Sequence, residues 1–236
     1  MGRVAFSGMA AELWVAHLGL VTYREGVQLQ ERLRELRQAD EIPDSLLLLE
    51  HPPVYTKGRR TEPGDLPMGE EWYRLQGIEV EETDRGGRVT YHGPGQLVGY
   101  PIMQVSDVPA YVQAMERAIC DALAEENVEA RTLEGETGVW SGEPPAKIAS
   151  IGVHVSRGVT THGFAINVDN DLQPFEWVVP CGLAGVRMTS LCKETGRADQ
   201  LRCFRRRMAY CFAQAVERRQ RLVSRERLLQ GELVAA

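Results

Sequence analysis

Four consecutive leucines, Leu46 to Leu49, stand in the stretch LLLLEH between the turn IPDS and the prolines Pro52 and Pro53. A continuous apolar run this short reads as a buried strand and not as an amphipathic helix. A buried strand needs neighbours and covering layers, and helical periodicity elsewhere supplies them. From about Tyr23 to Gln38, the residues Val27, Leu29, Leu33 and Leu36 give much of an apolar helical face. Ser106 or Asp107 caps a second helix with Pro109 in its first turn, along which Val108, Val112, Met115, Ile119 and Leu123 recur. In the last third Phe204, Met208, Phe212 and Val216 are spaced by four.

Short strands are predicted at ELWVAHLG, GIEVEETD, QLVGYPIM, VEARTL, TGVWS, KIASIGVHV and GFAINV. The stretch PPVYTKGRRTEPGDLP, with four prolines and two glycines, reads as loop. The fold class is therefore α/β (α+β), with short-strand mixed sheets flanked by helices. No repeat or linker divides the 236 residues, so the expectation is one catalytic domain over residues 1–236, with 199–236 a basic helical segment.

Charge and cysteines narrow the function. The net charge is −6, although the chain from Leu201 onward holds nine arginines against three glutamates. A globally acidic chain is a poor general nucleic-acid binder, and the basic tail lacks interleaved aromatics. No apolar run approaches the roughly 18 residues needed to span a bilayer. The N-terminus lacks the apolar core of a signal peptide, so a cytoplasmic protein is expected. The five cysteines, at 120, 181, 192, 203 and 211, show neither a Cys-x-x-Cys pair nor zinc spacing, which predicts free thiols and no metal.

Four segments offer chemistry. RGGRVTYHGPGQ (85–96) carries four glycines that let backbone approach a ligand, with Arg85, Tyr91 and His92 as polar handles; alone, it is equally a hairpin connection. KIASIGVHV begins with Lys147, one of only three lysines among 27 Lys and Arg residues. Strand alternation puts Lys147, Ile151 and Val153 on one face and Ser150, Gly152 and His154 on the other. That lysine either snorkels to solvent or is a desolvated amine acting on a neighbour. TTHGFAINV brings His162 into a strand through Gly163. VVPCGLAGV sets Cys181 in a turn, while Cys120, Cys203 and Cys211 read as small core residues. Cys181 with Lys147 would make a thiol–lysine pair for acyl transfer, with turn amides as an oxyanion hole.

Four blocks, EHPPVYTKGRR, RGGRVTYHGPGQLVGYP, AKIASIGVHVSRGVTTHGFAINVDNDL and VPCGLAGVRMTSL, together resemble the lipoyl(octanoyl) transferases, over about Leu13 to Leu191. The resemblance implies a biotin/lipoate protein ligase-like fold. It also implies movement of an octanoyl group from acyl carrier protein to a lysine of lipoyl domains, the first step of lipoate assembly. Those acceptors would be the lipoyl domains of 2-oxoacid dehydrogenase complexes and the glycine cleavage H protein, and no cofactor is implied. The family's acyl-thioester cysteine falls on Cys181 and the lysine that activates it on Lys147. Substrate contacts fall on Arg85, Gly86, Gly87, Arg88, Val89, Thr90, Tyr91 and His92, on Ser150, Ile151 and Gly152, and on Gly163, Phe164 and Ala165. Arginine could not replace Lys147, because a guanidinium does not give up its proton in proteins.

Three rival readings stay open at this level: an ATP-dependent lipoate or biotin ligase, a non-catalytic module that binds carrier protein or lipoyl domain, and a cysteine hydrolase using Cys181 with His92, His154 or His162. A positive rim of Lys57, Arg59, Arg60, Arg85 and Arg88 is expected to steer acidic partners.

Overall fold

The computed structural model describes residues 11–179 and 186–230. In chain order these form β1 (Glu12–Leu20), α1 (Tyr23–Gln38), β2 (Asp44–Glu50), β3 (Val54–Lys57), a 3-10 turn at Pro63–Asp65, α2 (Glu70–Leu75), β4 (Glu79–Glu82), β5 (Val89–His92) and β6 (Gln96–Ile102). There follow α3 (Val108–Ala124), β7 (Ala130–Leu133), β8 (Glu136–Ser141), β9 (Ala146–Ser156), β10 (Val159–Asn167) and a 3-10 turn at Gln173–Trp177. Last come α4 (Leu191–Thr195), α5 (Leu201–Ala215), β11 (Arg219–Leu222) and α6 (Arg225–Gln230).

The leucine run sits inside an eight-stranded mixed sheet ordered β11-β1-β2-β6-β10-β9-β8-β7. Its four side chains alternate. Leu46 and Leu48 pack with Met115, Phe204 and Phe212 beneath α3 and α5. Leu47 and Leu49 pack with Trp14, Leu29 and Leu33 beneath α1. Both faces are covered, which is why the strand carries no polar alternation. Each leucine is at most 1% exposed, worth roughly 1.5–3 kcal/mol apiece in buried apolar area.

The helix ends follow their sequence signals. Thr22 caps α1 in a reciprocal box with Glu25: its hydroxyl accepts from the Glu25 amide at 3.3 Å, and the Glu25 carboxylate accepts from the Thr22 amide at 3.1 Å. Of the two candidates for α3, Asp107 is the cap, accepting from the Ala110 amide at 3.0 Å.

A second sheet of three strands, β4-β3-β5, stands on a core of Tyr55, Tyr73, Val89, Tyr91 and Phe175. The stretch PPVYTKGRRTEPGDLP, expected to be loop throughout, contains β3, and the glycine-rich segment contains β5. Each strand is four residues long, too short for a period to register. What makes β3 a strand is pairing with distant chain, Val54 opposite both Glu79 and His92.

The C-terminal segment is not wholly helical either. Between its helices β11 adds a parallel edge strand to β1, with Arg219 opposite Glu12. Arg219 and Arg221 reach the Glu12 carboxylate at 3.1 and 3.5 Å, and Arg218 reaches the buried Asp44 at 3.1 Å. Among the described residues no helix is long and apolar enough to cross a membrane.

Candidate active site

Lys147 is the second residue of β9 and is 3% exposed, so it does not snorkel. Its Nζ donates to the Thr137 carbonyl at 3.0 Å and lies 4.8 Å from the centre of the Trp140 ring. Gly138 makes room for the stem. It holds φ at +132°, and a Cβ there would stand 2.7 Å from Lys147 Cε and 2.6 Å from the Ala149 carbonyl oxygen. The expected alternation along β9 is interrupted. Trp140 pairs with Lys147 but Val139 pairs with Ala149, so Ile148 is an extra residue in the β9 ladder. Ile148 and Ala149 accordingly enter the same core cluster, and the side of Lys147 does not carry through to Ile151.

The backbone of Lys147 is held from both directions by the chain that follows the proposed nucleophile turn. Its amide donates to the Arg187 carbonyl at 2.7 Å, and its carbonyl accepts from the Thr189 amide at 3.0 Å. Cys181, expected as the nucleophile, lies outside the described residues, as do Pro180 and Gly182. Of the other thiols, burial pushes Cys120 up to about 11 and raises Cys211, which suits small packing residues. Cys203 is exposed on α5, against the expectation that it packs inside.

Three cross-strand pairs form one wall of a cavity: Ser150 opposite Ala165, Ile151 opposite Phe164, and Gly152 opposite Gly163. Among the described residues, β8 pairs with β9 only as far as Ala149, and at Val153 the β9 backbone takes the Gly86 amide at 3.1 Å. This contact docks the glycine-rich loop beside the two strands. Arg85, Gly87, Arg88, Val89, Thr90 and His92 then complete much of the lining. The space measures about 500 Å³ when its open mouth is counted. Its width depends on Gly99 of β6, where an added Cβ would come 2.1 Å from the Phe164 ring.

Two of the expected contacts are not in the lining. Gly86 contributes the backbone tie to Val153. Tyr91 turns into the core of the small sheet, 5.6 Å from the ring of Tyr55 and 5.5 Å from that of Phe175. Three residues outside the expected set do line the cavity: Tyr23, Tyr100 and His162. Tyr100 lies inside a motif block, but Tyr23 belongs to a helix whose period reports only that the residue faces inward.

The positive rim does not form as expected. Arg85 is 9% exposed and turns inward, donating to Thr56 Oγ1 at 3.1 Å and to the carbonyls of Thr56, Gly86 and Arg88 at 2.6, 3.0 and 2.7 Å. Arg88 pairs with Asp65 at 2.6 Å and Glu62 at 2.8 Å, and Lys57 with Glu70 at 2.8 Å and Glu82 at 3.1 Å. Acidic neighbours from the 3-10 turn, α2 and β4 offset those charges. Arg59 and Arg60 remain exposed.

Two neutral imidazoles, those of His51 and His92, back the cavity. His51 bonds the Val21 carbonyl and the Tyr100 hydroxyl, both at 2.7 Å, and burial lowers its pKa to about 4. Burial, reinforced by His51, holds His92 well below the ordinary histidine value; its Nδ1 lies 2.8 Å from Gln96 Oε1, to which it donates. His162 sits inside β10 at φ +57°, with its amide donating to Gln30 Oε1 at 2.6 Å. Its Nε2 lies 2.7 Å from Asp84 Oδ1, and that contact, with His154 nearby, lowers Asp84 to about 2.

This architecture is shared with lipoate protein ligases. One from Thermoplasma acidophilum, studied with its E2 lipoyl domain, superposes with a TM-score of 0.69 at 16% identity, covering 94% of this chain and 91% of that one. The family model for the lipoyl protein ligase A/B catalytic domain matches residues 22–213. An octanoyltransferase of Mycobacterium leprae is 48% identical over 190 residues, 78% of this chain and 79% of that protein. An octanoyltransferase of Salinispora tropica is 46% identical over 193 residues, 79% and 87% of the two chains. The chain belongs to the lipoyl protein ligase A/B catalytic domain family, within its octanoyltransferases, and is an acyltransferase.

Proposed function

We propose that this chain moves an octanoyl group from octanoyl-acyl carrier protein to a specific lysine of lipoyl domains, through a thioester on Cys181. The acceptors are lipoyl domains of 2-oxoacid dehydrogenase complexes and the glycine cleavage H protein, and the enzyme works in the cytoplasm as one catalytic domain without a cofactor. In the first step Cys181 sulfur bonds the acyl carbon and the carrier's sulfur leaves; the thiol proton passes by way of Lys147 to the departing thiolate. In the second, the acceptor amine bonds the acyl carbon, Lys147 takes the amine proton, and Cys181 leaves as thiolate.

The observation that carries this reading is Lys147, a buried amine three residues before the cavity wall Ser150–Gly152 on the same strand. The family's activating lysine falls on this residue. Arg187, whose carbonyl accepts from the Lys147 amide, is six positions along the chain from Cys181. The cavity wall made by β9, β10 and the glycine-rich loop is the proposed seat of the acyl chain, and dryness there protects the thioester from water.

The test is intact-protein mass spectrometry after mixing with octanoyl-acyl carrier protein and no ATP, followed by peptide mapping. An octanoyl adduct on Cys181 that disappears when lipoyl domain is added is the expected result. No adduct, with transfer only when ATP and free octanoate are supplied, would replace this reading by a ligase.

A further inference from the structure

Glu116 is an acidic residue 9% exposed in α3, next to the buried Met115. A carboxylate in such a place costs free energy unless it is bonded. Its Oε1 accepts from the Gly138 amide at 3.0 Å. The other end of that same peptide group, the Thr137 carbonyl, accepts from Lys147 Nζ at 3.0 Å. In a trans peptide the N–H and C=O point in opposite directions, so carboxylate, peptide and amine form one line of hydrogen bonds.

We propose that Glu116 is a positioning residue for Lys147, acting through the Thr137–Gly138 peptide; this rests on the reading of Lys147 as the proton carrier. A carboxylate on the N–H polarises the peptide and makes its carbonyl a stronger acceptor for the amine. It also pins Gly138, whose missing side chain admits the Lys147 stem. A leucine at this helix position would pack well but leave the Gly138 amide without that acceptor. The peptide would then be free to rotate, and the amine would lose its fixed direction. Glu116 makes no contact with substrate in this scheme.

The experiment is a double-mutant cycle on the full chain, with single-turnover transfer and steady-state constants measured alongside urea unfolding. Glu116→Ala is expected to lower kcat about tenfold with little change in the donor KM, while Glu116→Gln, which keeps the acceptor oxygen, stays within about threefold of wild type. In a Lys147→Ala background, Glu116→Ala should alter the residual rate by less than about twofold. Wild-type kcat in Glu116→Ala overturns the proposal, as does an equal fractional loss with and without Lys147. A wild-type rate in Lys147→Ala by itself would instead remove the reading of Lys147 on which the proposal stands.

Discussion

Lys147 and Gly138 are matched in shape: the lysine stem occupies the space that any side chain at Gly138 would fill, 2.7 Å from its Cε. The amine is thereby led under the Trp140 ring to the Thr137 carbonyl, away from solvent.

Lys147→Arg is expected to keep the positive charge and lose at least about a hundredfold in transfer, since guanidinium cannot accept the proton and is wider than the slot. Turnover with octanoyl-acyl carrier protein and lipoyl domain checks this. Wild-type-like rates in the variant would remove the proton-transfer role.

Gly99→Ala should shift chain-length preference. The new methyl would press on the Phe164 ring, which lines the cavity, and shorten the space available. The ratio of kcat/KM for octanoyl over hexanoyl donors should fall about tenfold, the scale of one or two methylenes in an apolar pocket. An unchanged ratio would mean the acyl chain lies elsewhere.

Acid should destabilise the fold early. His51 has a pKa lowered from 6.5 to about 4, so between those values the unfolded chain binds a proton that the folded chain refuses. Stability contributed by its burial is therefore full above pH 6.5 and is lost as pH falls toward 4, by up to about 3 kcal/mol. His92 acts in the same direction. Urea midpoints from pH 7 to 4.5 should fall steeply in the wild type and less steeply in His51→Gln. Parallel curves would show that His51 does not carry the effect.

Asp44 should matter more than either of its arginines. It is 4% exposed and accepts from Arg37 at 2.9 Å and Arg218 at 3.1 Å, as well as from the Gln104 amide at 3.1 Å. Arg218→Ala leaves Asp44 partnered and should cost about 1 kcal/mol, whereas Asp44→Ala strands the partly buried Arg218, leaves Arg37 only its exposed partner Asp40, and should cost about 3 kcal/mol or more. Equilibrium unfolding of the two variants gives the comparison, and equal losses would contradict it.

What was legible in the chain is what depends on local chemistry. Four leucines in a row required a strand covered on both faces, and Asp107 marked a helix start because its side chain bonds the nearest free amide. The glycine-rich segment and the KIASIG and HGFA motifs pointed to residues that the tertiary structure gathers around one cavity. The rest was decided by partners far apart in sequence. β3 and β5 are strands because they meet each other, and β11 because β1 offers an edge. The extra residue at Ile148 breaks an alternation that sequence counting assumes to be unbroken. Charges behaved in the same way. Arg85, Arg88 and Lys57 look like a cationic rim until Thr56, Asp65 and Glu70 are brought beside them. A sequence states which groups are available, but the low-dielectric contacts that silence a charge or bury an amine exist only once the chain has closed on itself.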